Sequence, residues 1–508
     1  MNYYPTTDDF KLINQKEKEL GVCIEILNNN FQVIDVMNRE LVNGSLAISV
    51  SNSNRRSCEL TFIAKNKSYL VNKTSKIWFD KYLRLYLTIK GIRDKTIHKY
   101  PIGLFMFYQN TFEYNATTNT IKCSCHDLMD KLDGIRNGQL FGAPTTTIPA
   151  GTNIREAMIG IISQLGNITK YIIGNVGSRV DSTANTVPYD LKFTTKDNLY
   201  TMLNKLINLY SGWEMFFNDN TFIVQEIPTC ENDSVVLDSD TIEKYQLVLS
   251  EERNNTFENV KNVVEVWGKQ INADHYTETC TTSGAQYNAT FNTVTELESD
   301  RIYAVKLPSA NLANATLKIN SLTVYPITDS DGTALSVGSI NGYSAFKFHN
   351  SKFMYLGDYQ VHAIAFLVSA LPSVAQQNTY KTKFNCNNIQ FVVNSESPFT
   401  IENIGKDTSN PYEYGLLFVS KSGENFDSIY AQDLALERAV NELELASNFK
   451  DTINLECQLI PWLDVNQKFE FKDLISDKIE QWIIQQIDIT LLDGKMKIQA
   501  KRFYPTIY

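Results

Sequence analysis

The chain has 508 residues, too many for a single core, so three or four domains are expected. Hydrophobic residues make up 43% and charged residues 20%, which excludes a disordered chain. The formal net charge of -10 argues against a protein that holds nucleic acid by neutralising phosphates. The 26 Tyr and 27 Phe, with much Thr, Ile and Val, tilt the composition toward β-structure. The eight cysteines, at 23, 58, 123, 125, 230, 280, 386 and 457, form no regular framework and read as reduced, buried thiols. The start, MNYYPTTDDFKLINQKEKEL, lacks a basic region followed by an apolar one and does not read as a secretory signal. No run approaches the ~20 apolar residues of a membrane span. The expectation is a soluble protein made in a cytoplasm.

Residues 9–20 read as a short polar helix in an N-terminal arm, 1–20, with Phe10, Ile13 and Leu20 on its apolar side. Strands follow in GSLAISV, CELTFIA and YLRLYLTIK. In the last, Leu83, Leu85, Leu87 and Ile89 alternate with polar residues and tyrosines, the period of a half-buried antiparallel strand. PIGLFMFYQ and TIKCSC continue the pattern, so 21–135 reads as a first antiparallel β-barrel, ending in a short helix stopped by Gly134. The period then changes. Ile154, Met158, Ile161, Ile162 and Leu165 share a helical face. A second helix, capped by Thr195, carries Leu199, Met202, Leu203, Leu206 and Tyr210. The hairpin WEMFFNDNTFIVQEI, turning at Asn218, Asp219 and Asn220, completes an α/β domain over 136–250.

VKNVVEVWG opens strands again, with Trp267 and Gly268 closing a Val-rich run. It is expected to begin a second barrel, formed by 251–270 and 381–508 and interrupted by a β-rich module at 271–380. The longest helix lies in SIYAQDLALERAVNELELASN, with Leu436, Val440 and Leu443 on one face. Near the end, Ile453, Leu455, Cys457 and Leu459 alternate with polar residues. WIIQQIDITLLDGKMKIQAKRF, beginning at Trp482, is a hairpin turning at Asp493-Gly494, a dipeptide suited to positive φ. The fold class expected is mainly β with an α+β insert: two antiparallel β-barrel domains per chain, a helix/hairpin domain and a β-rich insertion.

Catalytic signals are sparse. CSCH places Cys123, Cys125 and His126 together as weak metal candidates, but on a strand the thiols point one way and the imidazole the other, and no second ligand pair has metal spacing. Two buried strand thiols are the plainer reading. DSDG at 329–332 has part of a calcium loop without its remaining ligands and reads as a polar turn. The five histidines (98, 126, 275, 349, 362) sit in no nucleophile, zinc or phosphate-loop motif. No cofactor and no catalytic residue is assigned. Trp267, Gly268, Trp482, Asp493 and Gly494 are singled out as structural positions.

The order of these parts carries more information than any one motif. ELVNGSLAISVSNSNRRSCELTF leads to KYPIGLFMFYQNTFEYNATTNTIKCSCHDLMDKLDG; two helices and a hairpin precede NVKNVVEVWG; a last helix runs into LECQLIPWLDVNQKFEF and WIIQQIDITLLDGKMKIQAKRFYP. Over nearly the whole chain except 271–380, this resembles the tail or baseplate hub proteins of tailed bacteriophages, related to the spike-bearing hubs of contractile injection systems. The resemblance implies a homotrimer with two similar barrels per chain, a pseudo-six-fold ring that meets the tail tube and lines the DNA path. It also implies partners among distal tail or tube proteins and spike, fibre or tape-measure proteins, with DNA passing without specific binding. Such a protein belongs to the virion and is assembled in the host cytoplasm. Related hubs often carry a peptidoglycan-cleaving domain after this point, whereas this sequence stops at Tyr508, so lytic activity is expected elsewhere. The alternative reading is a tail-associated glycan-binding or cell-wall-degrading protein acting through 271–380.

Overall fold

Alternating apolar residues dominate the chain, and strands dominate the fold. The computed structural model describes residues 4–502 except 73, 93–95, 143–144, 178–184, 188–189, 211, 231–233, 257–259, 330, 341, 396, 405–415, 424–425, 428, 430, 448–449 and 474–476. Part of the Asn-rich lead-in to VKNVVEVWG and the final FYP therefore lie outside the described residues. The chain divides into two compact units, one of residues up to 259 with 449–506, the other of 260–448.

In the first unit, helix α1 (Thr7–Ile13) precedes strands β1 (Lys18–Leu27), β2 (Val33–Met37), β3 (Leu41–Ser49), β4 (Arg56–Ile63), β5 (Tyr82–Gly91), β6 (His98–Asn115) and β7 (Thr120–His126). A capping box between Thr6 and Asp9 starts α1 earlier than expected, and Lys18 is already in a strand. A small α/β region follows, with β8 (Thr145–Ile148), α2 (Ile154–Gly160), β9 (Tyr171–Ile173), β10 (Leu191–Thr194), α3 (Leu199–Ile207), β11 (Trp213–Asn218) and β12 (Thr221–Glu226). Asn198, not Thr195, caps α3, whose Leu199, Met202, Leu203 and Leu206 are buried. Leu165 departs from the expected stripe and is exposed, because α2 runs into a π-helical turn over Ile161–Leu165 that rotates the last side chains away.

The unit is completed by β13 (Val235–Leu237), α4 (Ser239–Tyr245), β14 (Val248–Thr256) and, far along the chain, β27 (Lys450–Gln458), β28 (Lys468–Lys472), β29 (Ile479–Thr490) and β30 (Lys495–Lys501). These join β1–β7 in one nearly closed, barrel-like sheet of 13 strands, ordered β14-β27-β30-β29-β3-β4-β7-β6-β5-β1-β2, with β28 and β13 branching from β29. One continuous core lines it, from Leu46, Phe62 and Leu85 to Trp482, Ile487 and Ile498.

The second unit is built differently. Strands β15 (Val263–Gln270), β24 (Gln360–Val368), β25 (Ile389–Val393) and β26 (Phe418–Lys421) form a mixed sheet in the order β25-β24-β15-β26. Helix α6 (Gln432–Ala446) covers one face. Helix α5 (Val374–Lys383) and the short helix Ile401–Ile404 contribute Tyr380 and Ile401 to the core on the other. Between β15 and β24 runs an eight-stranded sheet of β16 (His275–Thr277), β17 (Cys280–Ser283), β18 (Gln286–Ala289), β19 (Ile302–Leu307), β20 (Thr316–Ile319), β21 (Tyr325–Thr328), β22 (Gly342–His349) and β23 (Lys352–Asp358).

The strands expected to make the second barrel pair differently from the expectation in one respect. The C-terminal strands pair with β14, not with the Val-rich strand at 263–270, and β24, assigned in advance to the inserted module, pairs with that strand instead. The physical reason lies in the valines. Val263 and Val264 are adjacent and both fully buried, so β15 is covered on both faces, as a strand between two helical layers must be. The helix face also shifts: Ala435, Ala439 and Leu443 are buried, with Leu436 and Val440 flanking them.

Candidate functional site

The large sheet contains the same arrangement twice. Its first half runs β3-β4-β7-β6-β5-β1 and its second β14-β27-β30-β29-β28-β13. Numbered in chain order within each half, the strands take identical places. Two departures accompany this match. β13 lies parallel to β28 where β1 is antiparallel to β5, and β2 has no counterpart strand. The six-residue turn 50–55 between β3 and β4 corresponds to the entire second unit, which enters between β14 and β27.

One ladder joins the halves. Ser45–Ser49 of β3 pairs with Gln486–Thr490 of β29, beyond the stretch Ile479–Ile483 that β28 occupies. The equivalent ladder would place β14 on β6 beyond Met106, where β5 ends. Among the described residues that ladder is not made: β14 pairs only with β27, and this part of β6 only with β7. Leu249 on β14 and Tyr114 on β6 are each about half exposed. Two strand edges, complementary by the fold's own internal rule, are left open.

A buried charged joint fixes the hairpin β11–β12 to this sheet. Arg55 and Arg56 leave the β3–β4 turn together. The Arg55 guanidinium sits 3.5 Å from the centre of the Phe216 ring and donates to Glu214 at 2.5 Å, while Asn466 Nδ2 donates to the same carboxylate at 2.5 Å. Arg56 donates to the Phe217 carbonyl at 3.1 Å and pairs with Asp464. Its backbone N–H donates to Asp127 at 3.0 Å. Arg84 donates to Asp219 at the hairpin tip at 3.3 Å. Each cation in this cluster meets a carboxylate, so the cluster positions structure rather than offering a free acid, base or nucleophile. Sequence reading missed it; two adjacent arginines at a tight turn in an acidic chain are the signal that could have found it.

The sequence candidates fall in separate places. Cys123 and Cys125 are buried with sulfurs 3.9 Å apart, and Cys58 lies across from Cys125 on β4. The contact with Cys125 and burial raise the Cys123 thiol well above its ordinary range, and burial does the same to Cys125. Such thiols are neutral and poor ligands. His126 stacks on Tyr108 at 4.2 Å, and its Nδ1 lies 3.2 Å from Asp130. Among the described residues no group of three or more His, Cys, Asp or Glu is placed to hold a metal ion. Asp329 accepts from the N–H groups of Asp331 and Thr333 at 3.0 and 2.9 Å, closing its turn on itself. Of the other histidines, His349 pairs with Asp300, His275 stacks on Tyr303 and His362 pairs with Glu265.

The structural candidates sit at close contacts. Trp267 lies flat against His362, 3.7 Å between centroids, and a Cβ on Gly268 would stand 2.5 Å from the Ile429 carbonyl oxygen. Trp482 is fully buried in β29. In the β29–β30 turn, Leu492 and Gly494 carry positive φ, at 78° and 70°, with Asp493 between them. Among the described residues no helix is long and apolar enough to cross a membrane.

A family model described as "Domain of unknown function (DUF5048)" matches residues 396–508. No curated protein matches the chain. Among solved structures, the prophage MuSo2 43 kDa tail protein from Shewanella oneidensis is similar over 95% of this chain and 98% of its own, at 9% identity and a TM-score of 0.43. The tail protein from Neisseria meningitidis is similar over 95% and 96%, at 8% identity and a TM-score of 0.44. A Francisella PdpA-VgrG complex is similar over 97% of this chain and 60% of that chain, at 9% identity and a TM-score of 0.42.

Proposed function

We propose that the chain is the structural hub of a bacteriophage tail tip or baseplate. Copies join head to tail into a closed ring that connects the tail tube to a distal spike or fibre and surrounds the DNA path. The observation that carries this reading is the unmade ladder. Within one chain β3 of the first half pairs with β29 of the second; the open edges of β14 and β6 are the same two surfaces with the halves exchanged. Joining β14 of one copy to β6 of the next repeats the internal contact, and a rotation that repeats must close or grow into a filament. Three copies present six similar half-sheets, which reconciles a three-fold spike with a six-fold tube. The protein acts here by shape: the buried charges are committed to one another, and the thiols are neutral.

The solution mass tests this. The 57.8 kDa chain should behave as a trimer. Proline cannot donate to a ladder, so Glu251→Pro on β14 and Tyr114→Pro on β6, whose N–H groups face the open edges, should each give a folded monomer with the parent's circular dichroism. Ile34→Pro, on the free edge of β2, should remain trimeric. A monomeric parent, or trimers in both edge variants, would overturn the assignment.

A further inference from the structure

The second unit carries a partly exposed aromatic cluster that neither its core nor the ring accounts for. Tyr276 on edge strand β16, Tyr343 on β22 and Tyr359 just before β24 come together with nearly parallel rings. Their centroids are 5.1 Å apart for Tyr276 and Tyr359, and 6.3 Å for Tyr276 and Tyr343. Tyr276 remains 44% exposed, the opposite of what burial alone would do with a large ring.

Polar groups pin all three hydroxyls. Glu278 accepts from Tyr276 at 2.5 Å and from Tyr343 at 3.0 Å. Asn385 Nδ2 donates to the Tyr343 oxygen at 3.0 Å, and Gln270 Nε2 to the Tyr359 oxygen at 3.1 Å. Lys306 lies over the Tyr343 ring and donates to Asn385 Oδ1 at 2.7 Å. The two phenol bonds hold the Glu278 carboxyl below its usual range, so it is ionised. Lys306 Nζ stands 3.9 Å from it, leaving the patch close to neutral.

We infer that this patch binds a neutral saccharide, an oligomer of pyranose units. Tyrosine rings offer apolar surface to the C–H faces of a sugar. Glu278, Asn385, Gln270 and Lys306 supply both acceptors and donors at the rim, as a chain of hydroxyls requires. A balanced charge suits an uncharged ligand better than a phosphate or a basic peptide. Because hydrogen bonds already fix the rings, binding sacrifices little side-chain freedom. The inference does not depend on the ring, since all these residues belong to the second unit.

Calorimetric titration of the full chain with oligosaccharides of N-acetylglucosamine, glucose and galactose tests it. At least one should bind, and Tyr276→Ala should weaken that binding by roughly tenfold or more. Tyr343→Phe, which keeps the ring and loses its two hydrogen bonds, should weaken it less. If Tyr276→Ala melts early, Glu278→Gln, an exposed and nearly isosteric change, gives the second reading and should also weaken binding. Absence of binding by all three sugars, or unchanged affinity in both Tyr276→Ala and Glu278→Gln, would overturn the site while leaving the trimer mass unaffected.

Discussion

Asp127 is buried beside the β3–β4 turn and accepts from the backbone N–H groups of Arg56 and Met129, both at 3.0 Å. Burial outweighs those bonds and raises its carboxyl to about 6. At His126, burial opposes the charge, but the bond to Asp130 prevails and the imidazole also sits above its ordinary value. Both shifts have the same sign. A group that binds its proton more tightly when folded stabilises the fold fully below its unfolded pKa, and that stability is lost as pH rises through the folded value. The first unit should therefore gain stability on acidification from pH 7 toward 4, by up to roughly 3 kcal/mol from Asp127. Asp35, held near 2 against its own desolvation by Lys76 and Tyr69, acts the other way only below about pH 4. Urea unfolding at pH 7, 6, 5 and 4 checks this, and Asp127→Asn should flatten the profile. A parent whose stability falls steadily over that range would contradict the assignment. Nothing in HDLMD announces a buried carboxylate. Asp127 looks like a helix cap, which it is, with its oxygen accepting from Met129, and its burial is imposed by strands distant in sequence.

Elements with a clear period were legible from the sequence alone. Leu83, Leu85, Leu87 and Ile89 in β5, the α3 stripe, and Met496 and Ile498 in β30 all face the core, because a half-buried element must alternate at its own period. Where an element is covered on both sides the rule loses its grip. β15 read as a barrel wall because eight residues cannot reveal what lies above and below them. In α6 the buried positions are Leu443, as the pattern indicated, and Ala435 and Ala439, whose small side chains let the helix approach the sheet; the eye goes to Leu436, which lies at the margin. The C-terminal hairpin was the most readable part, and its role is larger than its length. β29 pairs with β28, β30 and β3, so it holds the second half together and also ties it to the first. It buries Trp482, Ile484, Ile487 and Ile489, each contributing roughly 2 kcal/mol. A chain ending at residue 480 should therefore show no cooperative melting of the first unit. Gly494→Ala, at φ 70° and with a Cβ only 2.7 Å from the Leu20 side chain, should cost about 1–2 kcal/mol in thermal unfolding without unfolding the protein.

At the scale of the molecule, two similar barrels per chain were expected from the resemblance, and not from any repeat visible in the residues. A six-residue turn in one becomes the whole second unit in the other, and β2 is matched in chain position by helix α4. What the sequence did carry is charge, and the proposed ring around DNA would make charge consequential. Each chain has a net -10, so three copies would bring about -30 to the proposed ring. The conspicuous arginines do not change this, since Arg55, Arg56, Arg84 and Arg253 are each paired with a carboxylate within the first unit. Retention of duplex DNA depends on cations that displace its counterions, each phosphate contact steepening the dependence on salt. A hub that lets DNA through must forgo those contacts, because every one of them would slow transit. The assembled protein should therefore fail to shift duplex DNA in a mobility assay at ~0.05 M salt, where phosphate-binding proteins hold most tightly. Binding that weakens steeply between ~0.05 and ~0.2 M salt would mean that free lysines and arginines line the passage, and the acidic conduit would have to be abandoned.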